Sequence, residues 1–147
     1  MTRLLSMKSL HADAEKGDGD SQFSIGVVYA NGLDDSGRVI ARQRGEAIKW
    51  LRRAAEQGLP RAQQKLAEVY ADGTGAPDHS VDDSIRACAW FLVAEATLAG
   101  VYREAARSGF RRVSSVLTSD QIATAHHFAG LWGPKSRISA AARGAML

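Results

Sequence analysis

Hydrophobic and small residues recur at helical spacing through the middle of the chain. Three of them lie four residues apart and share one helical face: Ala62, Leu66 and Tyr70. Pro60 stands near the first turn, where a missing N–H costs nothing, and Gly73 and Gly75 follow the last apolar position. The pattern therefore predicts a helix over residues 60–72.

A second run of apolar positions follows a polar loop. Its members are three or four residues apart: Ile85, Ala89, Leu92, Ala96 and Ala99. This spacing predicts a second, longer helix that ends at Gly100. The unit is therefore a helix, a loop and a helix.

Nearly the same residues occur earlier in the chain, 41 positions before. The matched pairs are Ala14 and Ala55, Glu15 and Glu56, Gly17 and Gly58, Ile25 and Leu66, Tyr29 and Tyr70, and Gly32 and Gly73. Trp50 and Trp90 also correspond, at an offset of 40. A period of this length is typical of stacked helical hairpins, because one hairpin cannot bury its apolar face alone. We expect the matched tyrosines and tryptophans to fill the gaps between the helices.

The two ends of the chain extend this array. Residues 7–17 resemble a second helix without its first, and are predicted to cap the N-terminal end. Residues 101–132 predict a third, degenerate pair of helices. Thr118 and Gln121 have the spacing of a capping box, which places the start of the last helix at about residue 119.

The sequence thus predicts an all-α solenoid of about three antiparallel helical hairpins over residues 1–132. Residues 133–147 have no sustained apolar face, so they are predicted to form a flexible tail.

Composition agrees with a soluble globular fold. Hydrophobic residues make up 45% and charged residues 24% of the chain, which disfavours a disordered or membrane protein. The N-terminus lacks the apolar core of a signal peptide, so we expect a cytoplasmic protein, or a periplasmic or secreted one if a signal peptide has been removed. Cys88 lies in an apolar helical pattern and is interpreted as a buried structural thiol.

The repeated residues resemble those of the Sel-one-like repeat family, which is related to tetratricopeptide repeats. The resemblance rests on "AQQKLAEVYADGTG" and "AIKWLRRAAEQG". It implies a tetratricopeptide-like superhelix, with Asp82 or Asp83 as a loop acid. The third unit departs from the family pattern, since Ser108 replaces a leucine and Arg112 a tyrosine.

The sequence contains no convincing catalytic, cofactor or metal site. His126 and His127 are adjacent, so on a helix their rings point about 100° apart and cannot share a metal. His79 lies among acidic residues whose spacing fits no calcium loop. We therefore predict that the protein is not an enzyme and needs no cofactor.

The resemblance also implies a binding surface, because related repeats line a concave face with their first helices. The residues expected on this face are Phe23, Val27, Arg61, Gln64, Glu68, Arg103, Ala106 and Phe110. A pair of exposed apolar residues one turn apart, flanked by arginines, suits a partner peptide or helix. The predicted function is that of an adaptor or regulatory module that binds another protein. Alternatively, Phe23 only seals the N-terminal cap against the first loop.

Charge is unevenly distributed along the chain. Residues 101–147 carry seven basic side chains, namely Arg103, Arg107, Arg111, Arg112, Lys135, Arg137 and Arg143, against Glu104 and Asp120. Arg103, Arg107, Arg111 and Arg112 could form a basic patch for an anion or a nucleic acid, although such charges also suit a solvated helix face. A third function follows from the resemblance alone, because some members of that family are proposed to bind or hydrolyse cell-wall compounds.

Overall fold

The computed structural model describes residues 7–33, 38–39 and 42–132, and most of these residues are helical. The helices are α1 (Met7–Glu15), α2 (Gly19–Asn31), α3 (Arg44–Glu56), α4 (Pro60–Ala71), α5 (Val81–Thr97), α6 (Gly100–Ser114) and α7 (Ser119–Trp132). Leu33 and Val39 form an isolated antiparallel bridge between α2 and α3. The predicted tail, residues 133–147, lies outside the described residues. The chain divides into two compact units, Met1–Val69 and Tyr70–Leu147.

Several predicted helix boundaries are confirmed. The helix α4 begins at Pro60 and ends before Gly73, whose φ of 87° lies in the left-handed region that glycine adopts readily. The capping box is present at the start of α7. Gln121 Oε1 accepts a hydrogen bond from the N–H of Thr118 at 2.8 Å, and Thr118 Oγ1 accepts one from the N–H of Gln121 at 3.2 Å.

The predicted end of α5 was wrong. The helix ends at Thr97, Leu98 is extended with ψ 163°, and Gly100 is the first residue of α6. Ala96 and Ala99 are exposed rather than part of a buried face. Gly100 was predicted to end the helix, but it begins α6 with a φ of 59°, and Leu98 and Ala99 before it are not helix-breaking residues.

The first unit is held together by α1, α2 and α3. Leu10 and Ala14 of α1 pack with Ile25 of α2 and Trp50 of α3, and Tyr29 packs against this cluster. His11 Nε2 and Tyr29 Oη are hydrogen-bonded at 2.9 Å. Burial, with a smaller contribution from the charge of Glu46, raises the pKa of Tyr29. The helix α1 thus packs against the apolar face of the first hairpin.

A repeated glutamine contact, which was not predicted, ties each first helix to the helix before it. Gln22 Nε2 donates to the carbonyl of Ala14 at 3.1 Å, and Gln63 Nε2 donates to the carbonyl of Ala55 at 3.2 Å. Both glutamines are buried, with 1% and 3% of their surface exposed. Gln22 and Gln63 are also 41 positions apart, so the repeat itself carried the signal. Each carbonyl also accepts a backbone N–H, from Gly17 and Gly58 respectively, so the glutamine adds a second hydrogen bond at the end of α1 and of α3.

We expect replacement of Gln22 by alanine to lower the free energy of unfolding by about 1 to 3 kcal/mol, because it removes a buried hydrogen bond to the carbonyl of Ala14 and leaves unfilled space in a packed interior. Gln64→Ala is the matched control. Gln64 is half-buried and donates to the exposed side chain of Glu68 at 3.1 Å, so its loss should cost less. Urea denaturation followed by circular dichroism measures both. Equal losses of unfolding free energy in the two variants would show that the buried contact stabilises the protein no more than the exposed one.

The second unit is organised around α5, which packs along both α6 and α7. Trp90 of α5 stacks on Trp132 of α7 with ring centroids 4.6 Å apart, and Trp132 stacks in turn on Phe128 at 5.8 Å. Gly109 of α6 faces Phe91 so closely that an added Cβ would lie 2.4 Å from the ring. The last two helices, which were predicted to form a third pair, each pack extensively on α5.

Candidate protein-binding surface

The first helices of the two clear repeats, α2 and α4, lie side by side in the first unit. The Arg61 guanidinium stacks over the ring of Phe23, 5.3 Å from its centroid, and Lys65 Nζ donates to Asn31 Oδ1 at 2.9 Å. From the Phe23–Arg61 contact to the Asn31–Lys65 contact, the residue number increases on both helices. The two helices are therefore parallel, as expected of equivalent helices in consecutive hairpins.

Five of the predicted binding residues fall on these two helices, and we call their surface the α2–α4 face: Phe23, Val27, Arg61, Gln64 and Glu68. Phe23 and Val27 are one turn apart on α2 and half-buried, whereas they were expected to be exposed. Arg61 and Glu68 are exposed. Gln64 is half-buried, and its Nε2 donates to Glu68 Oε2 at 3.1 Å. The face therefore has an apolar row on α2 beside a polar row on α4.

The remaining predicted binding residues lie on α6, in the second unit. Phe110 is half-buried and meets the ring of His126 edge-on, with centroids 5.8 Å apart. Arg103 is exposed, and its Nε donates to the carbonyl of Leu98 at 3.0 Å. Ala106 was expected on the binding face, but it is fully buried. Because α6 packs on α5, Ala106 lies on the same buried side as Gly109 and Val113.

The predicted basic patch on α6 is partly neutralised. Arg107 forms ion pairs with Glu95 at 2.8 Å and with Glu104 at 3.1 Å. The hydrogen bond and charge of Glu95, followed by those of Glu104, raise the pKa of Arg107. Arg111 and Arg112 lie in the last turn of α6, where cations are favoured by the helix dipole. Much of this positive charge therefore has a local structural explanation.

The described residues do not assemble a metal or nucleophilic site. No cluster of three or more His, Cys, Asp or Glu side chains is found in this part of the chain. Cys88 is buried, and desolvation raises the pKa of its thiol to about 11, which agrees with a structural role. Asp82 and Asp83 were expected in a loop, but they lie in the first turn of α5, after the N-cap Ser80. Acids are favoured there by the helix dipole.

The consecutive hairpins define a class, that of all-α helical-repeat proteins of the solenoid type. Within that class, the chain belongs to the Sel1 repeat family, whose sequence model matches residues 19–59 and 60–94. The matches coincide with the α2–α3 and α4–α5 hairpins. No helix in the described ranges has the length and hydrophobicity needed to cross a bilayer.

The chain is similar to parts of larger proteins. It is 35% identical over 66 residues to the ERAD-associated E3 ubiquitin-protein ligase component HRD3A of Arabidopsis thaliana, and 32% identical over 66 residues to the DAP3-binding cell death enhancer 1 of Rattus norvegicus. Each match covers 45% of this chain, but only 9% and 12% of the respective relatives.

A solved structure extends the similarity to most of the chain. It is a protective antigen of uropathogenic Escherichia coli strains that displays an SLR fold. Its TM-score is 0.69 at 25% sequence identity, and the match covers 95% of this chain and 27% of the antigen. The predicted family and fold class are thus confirmed.

Proposed function

We propose that this chain is a protein-binding module whose α2–α4 face receives a peptide or helix of a partner, in an adaptor or regulatory role. The observation that carries the proposal is the half-buried apolar row of Phe23 and Val27 beside the exposed polar row that begins with Arg61. An amphipathic segment could bury its apolar side against α2 and pair its polar side with α4.

Family membership supports the proposal. One relative is named as a component of a ubiquitin-protein ligase, and another is named for binding a further protein. Aromatic residues and arginine are also the residues that most often anchor protein interfaces.

The alternative, an anion or nucleic-acid site on α6, has weaker support. Arg107 already has two carboxylate partners, and Arg103 donates to a backbone carbonyl. Binding of a nucleic acid to these arginines would be recognised by a steep fall in affinity as the salt concentration rises.

We expect double replacement of Phe23 and Arg61 by alanine to abolish capture of the native partner in affinity purification from source-cell lysate. Truncation of one interface anchor typically costs about 2 kcal/mol or more, so the loss of two should weaken binding several hundredfold or more. Far-UV circular dichroism should be unchanged, because Arg61 is exposed and Phe23 lies at the surface of α2.

Tyr102→Ala with Arg86→Ala is the matched control, since it removes an exposed aromatic residue and an exposed arginine from the second unit. This control should leave capture intact. Capture that survives the Phe23 and Arg61 variant, but fails when Arg107, Arg111 and Arg112 are changed to glutamine, would replace the α2–α4 face with the basic face of α6.

A further inference from the structure

We infer that Arg61 is a receptor for an acidic side chain, so that the partner presents an aspartate or glutamate beside an apolar residue that covers Phe23 and Val27. This inference rests on the proposed function of the α2–α4 face and specifies the chemistry of its partner. It starts from the environment of the Arg61 guanidinium. The group is exposed and stacked on Phe23, yet it forms no ion pair and no hydrogen bond with any described residue.

Two other arginines of this chain stack on an aromatic ring and also form an ion pair with a carboxylate. Arg53 stacks on Trp50 at 4.8 Å and pairs with Glu15 at 3.5 Å. Arg86 stacks on Tyr70 at 5.9 Å and pairs with Asp83 at 3.1 Å. In both cases an aromatic ring holds the guanidinium plane while a carboxylate accepts its N–H groups. Arg61 has the ring without the carboxylate.

The position of Arg61 in its helix is not explained by helix stability. It lies in the first turn of α4, where the helix dipole disfavours a cation. In the preceding repeat, 41 residues earlier, the equivalent position of α2 holds Asp20, an acid that the helix dipole stabilises in the first turn. The second repeat thus carries a cation at a site that suits an acid, and a carboxylate from a partner would compensate this charge.

The stacked geometry also suits recognition. A guanidinium presents its N–H donors in a planar fork that matches the two oxygens of a carboxylate, and the Phe23 ring restricts the orientation of that plane. Holding the group in place before binding lowers the entropy lost when the carboxylate arrives. An apolar residue next to the acid would then lie over Phe23 and Val27, which are adjacent on α2.

The test uses a displayed library of short random peptides selected on the full-length protein. Enriched peptides are expected to share one Asp or Glu next to an aliphatic or aromatic residue, and to lose binding to the Phe23→Ala variant. For a selected peptide, replacement of the acid by its amide should weaken binding to the wild-type protein about tenfold, because a charge-assisted hydrogen-bonded pair is lost.

Variants of Arg61 test whether its guanidinium recognises the acid of the peptide or only packs against the peptide. Arg61→Gln should bind the acid and amide peptides equally, and Arg61→Lys should recover only part of the preference, since lysine lacks the fork. Arg61→Glu should instead prefer the peptide with lysine at that position. Arg86→Gln is the matched control and should discriminate as the wild type does, because its guanidinium is already paired within the chain.

The outcomes distinguish the two proposals. Peptides that depend on Phe23 but show no acidic residue, or whose acid can be amidated without loss, would overturn the role of Arg61 and leave the α2–α4 face as the binding site. Selection of no peptide, or of peptides indifferent to both Phe23→Ala and Arg61→Ala, would overturn the proposed function itself.

Discussion

Replacement of Trp90 by alanine is expected to lower the free energy of unfolding by about 3 to 5 kcal/mol, the largest effect of any single substitution considered for the second unit. Trp90 is 2% exposed and stacks on Trp132, so its truncation leaves a cavity between α5 and α7 and removes an aromatic pair. Thermal denaturation followed by circular dichroism should show a fall of roughly 10 °C, at about 2 to 4 °C per kcal/mol for a chain of this size.

Two further variants define the cause of that loss. Trp90→Phe keeps an aromatic ring against Trp132, so it should restore more than half of the unfolding free energy that Trp90→Ala loses. Tyr102→Ala removes an aromatic side chain that is 64% exposed, and should change stability by no more than about 0.5 kcal/mol. A Trp90→Ala protein with an unchanged melting curve would show that the assigned repeat register is wrong.

The fold could be predicted from the sequence wherever two independent signals agreed. In α4, the four-residue spacing of Ala62, Leu66 and Tyr70 agreed with the glycines that end the helix, and all three side chains are buried. The boundary between α5 and α6 had no such agreement. The glycine there marks the start of α6 rather than the end of α5, and Leu98 and Ala99 before it are not helix-breaking residues.

Only part of the candidate site could be predicted from the sequence. The repeat placed Phe23, Val27 and Arg61 on first helices, and the structure brings Arg61 onto Phe23. The sequence left open whether Phe23 is exposed or seals the cap, because its burial depends on contacts between helices that are distant in sequence. The absence of a carboxylate beside Arg61 among the described residues is likewise a property of the folded chain. Ala106 was misplaced because the third unit departs from the repeat pattern.

The closest approach of α2 to α3 depends on the absence of a side chain at Gly26. An added Cβ would lie 2.5 Å from Leu51 Cγ and 3.2 Å from the backbone nitrogen of Leu51. Leu51 is fully buried, so its side chain has no free space to enter, and the backbone atom cannot rotate away. Any larger residue at this position must therefore push the two helices apart.

We expect Gly26→Val to lower the free energy of unfolding by about 3 kcal/mol, at the upper end of the range for overpacked cores. Gly26→Ala should also destabilise the protein, even though alanine in a helix interior is intrinsically favoured over glycine by about 1 kcal/mol. Gly130→Ala is the matched control, because Gly130 lies in α7 with nothing within 4 Å of an added Cβ. There the intrinsic preference acts alone, so stability should rise. If Gly26→Ala stabilised the protein as much as Gly130→Ala, α2 and α3 would not be packed at the distance that the structure shows.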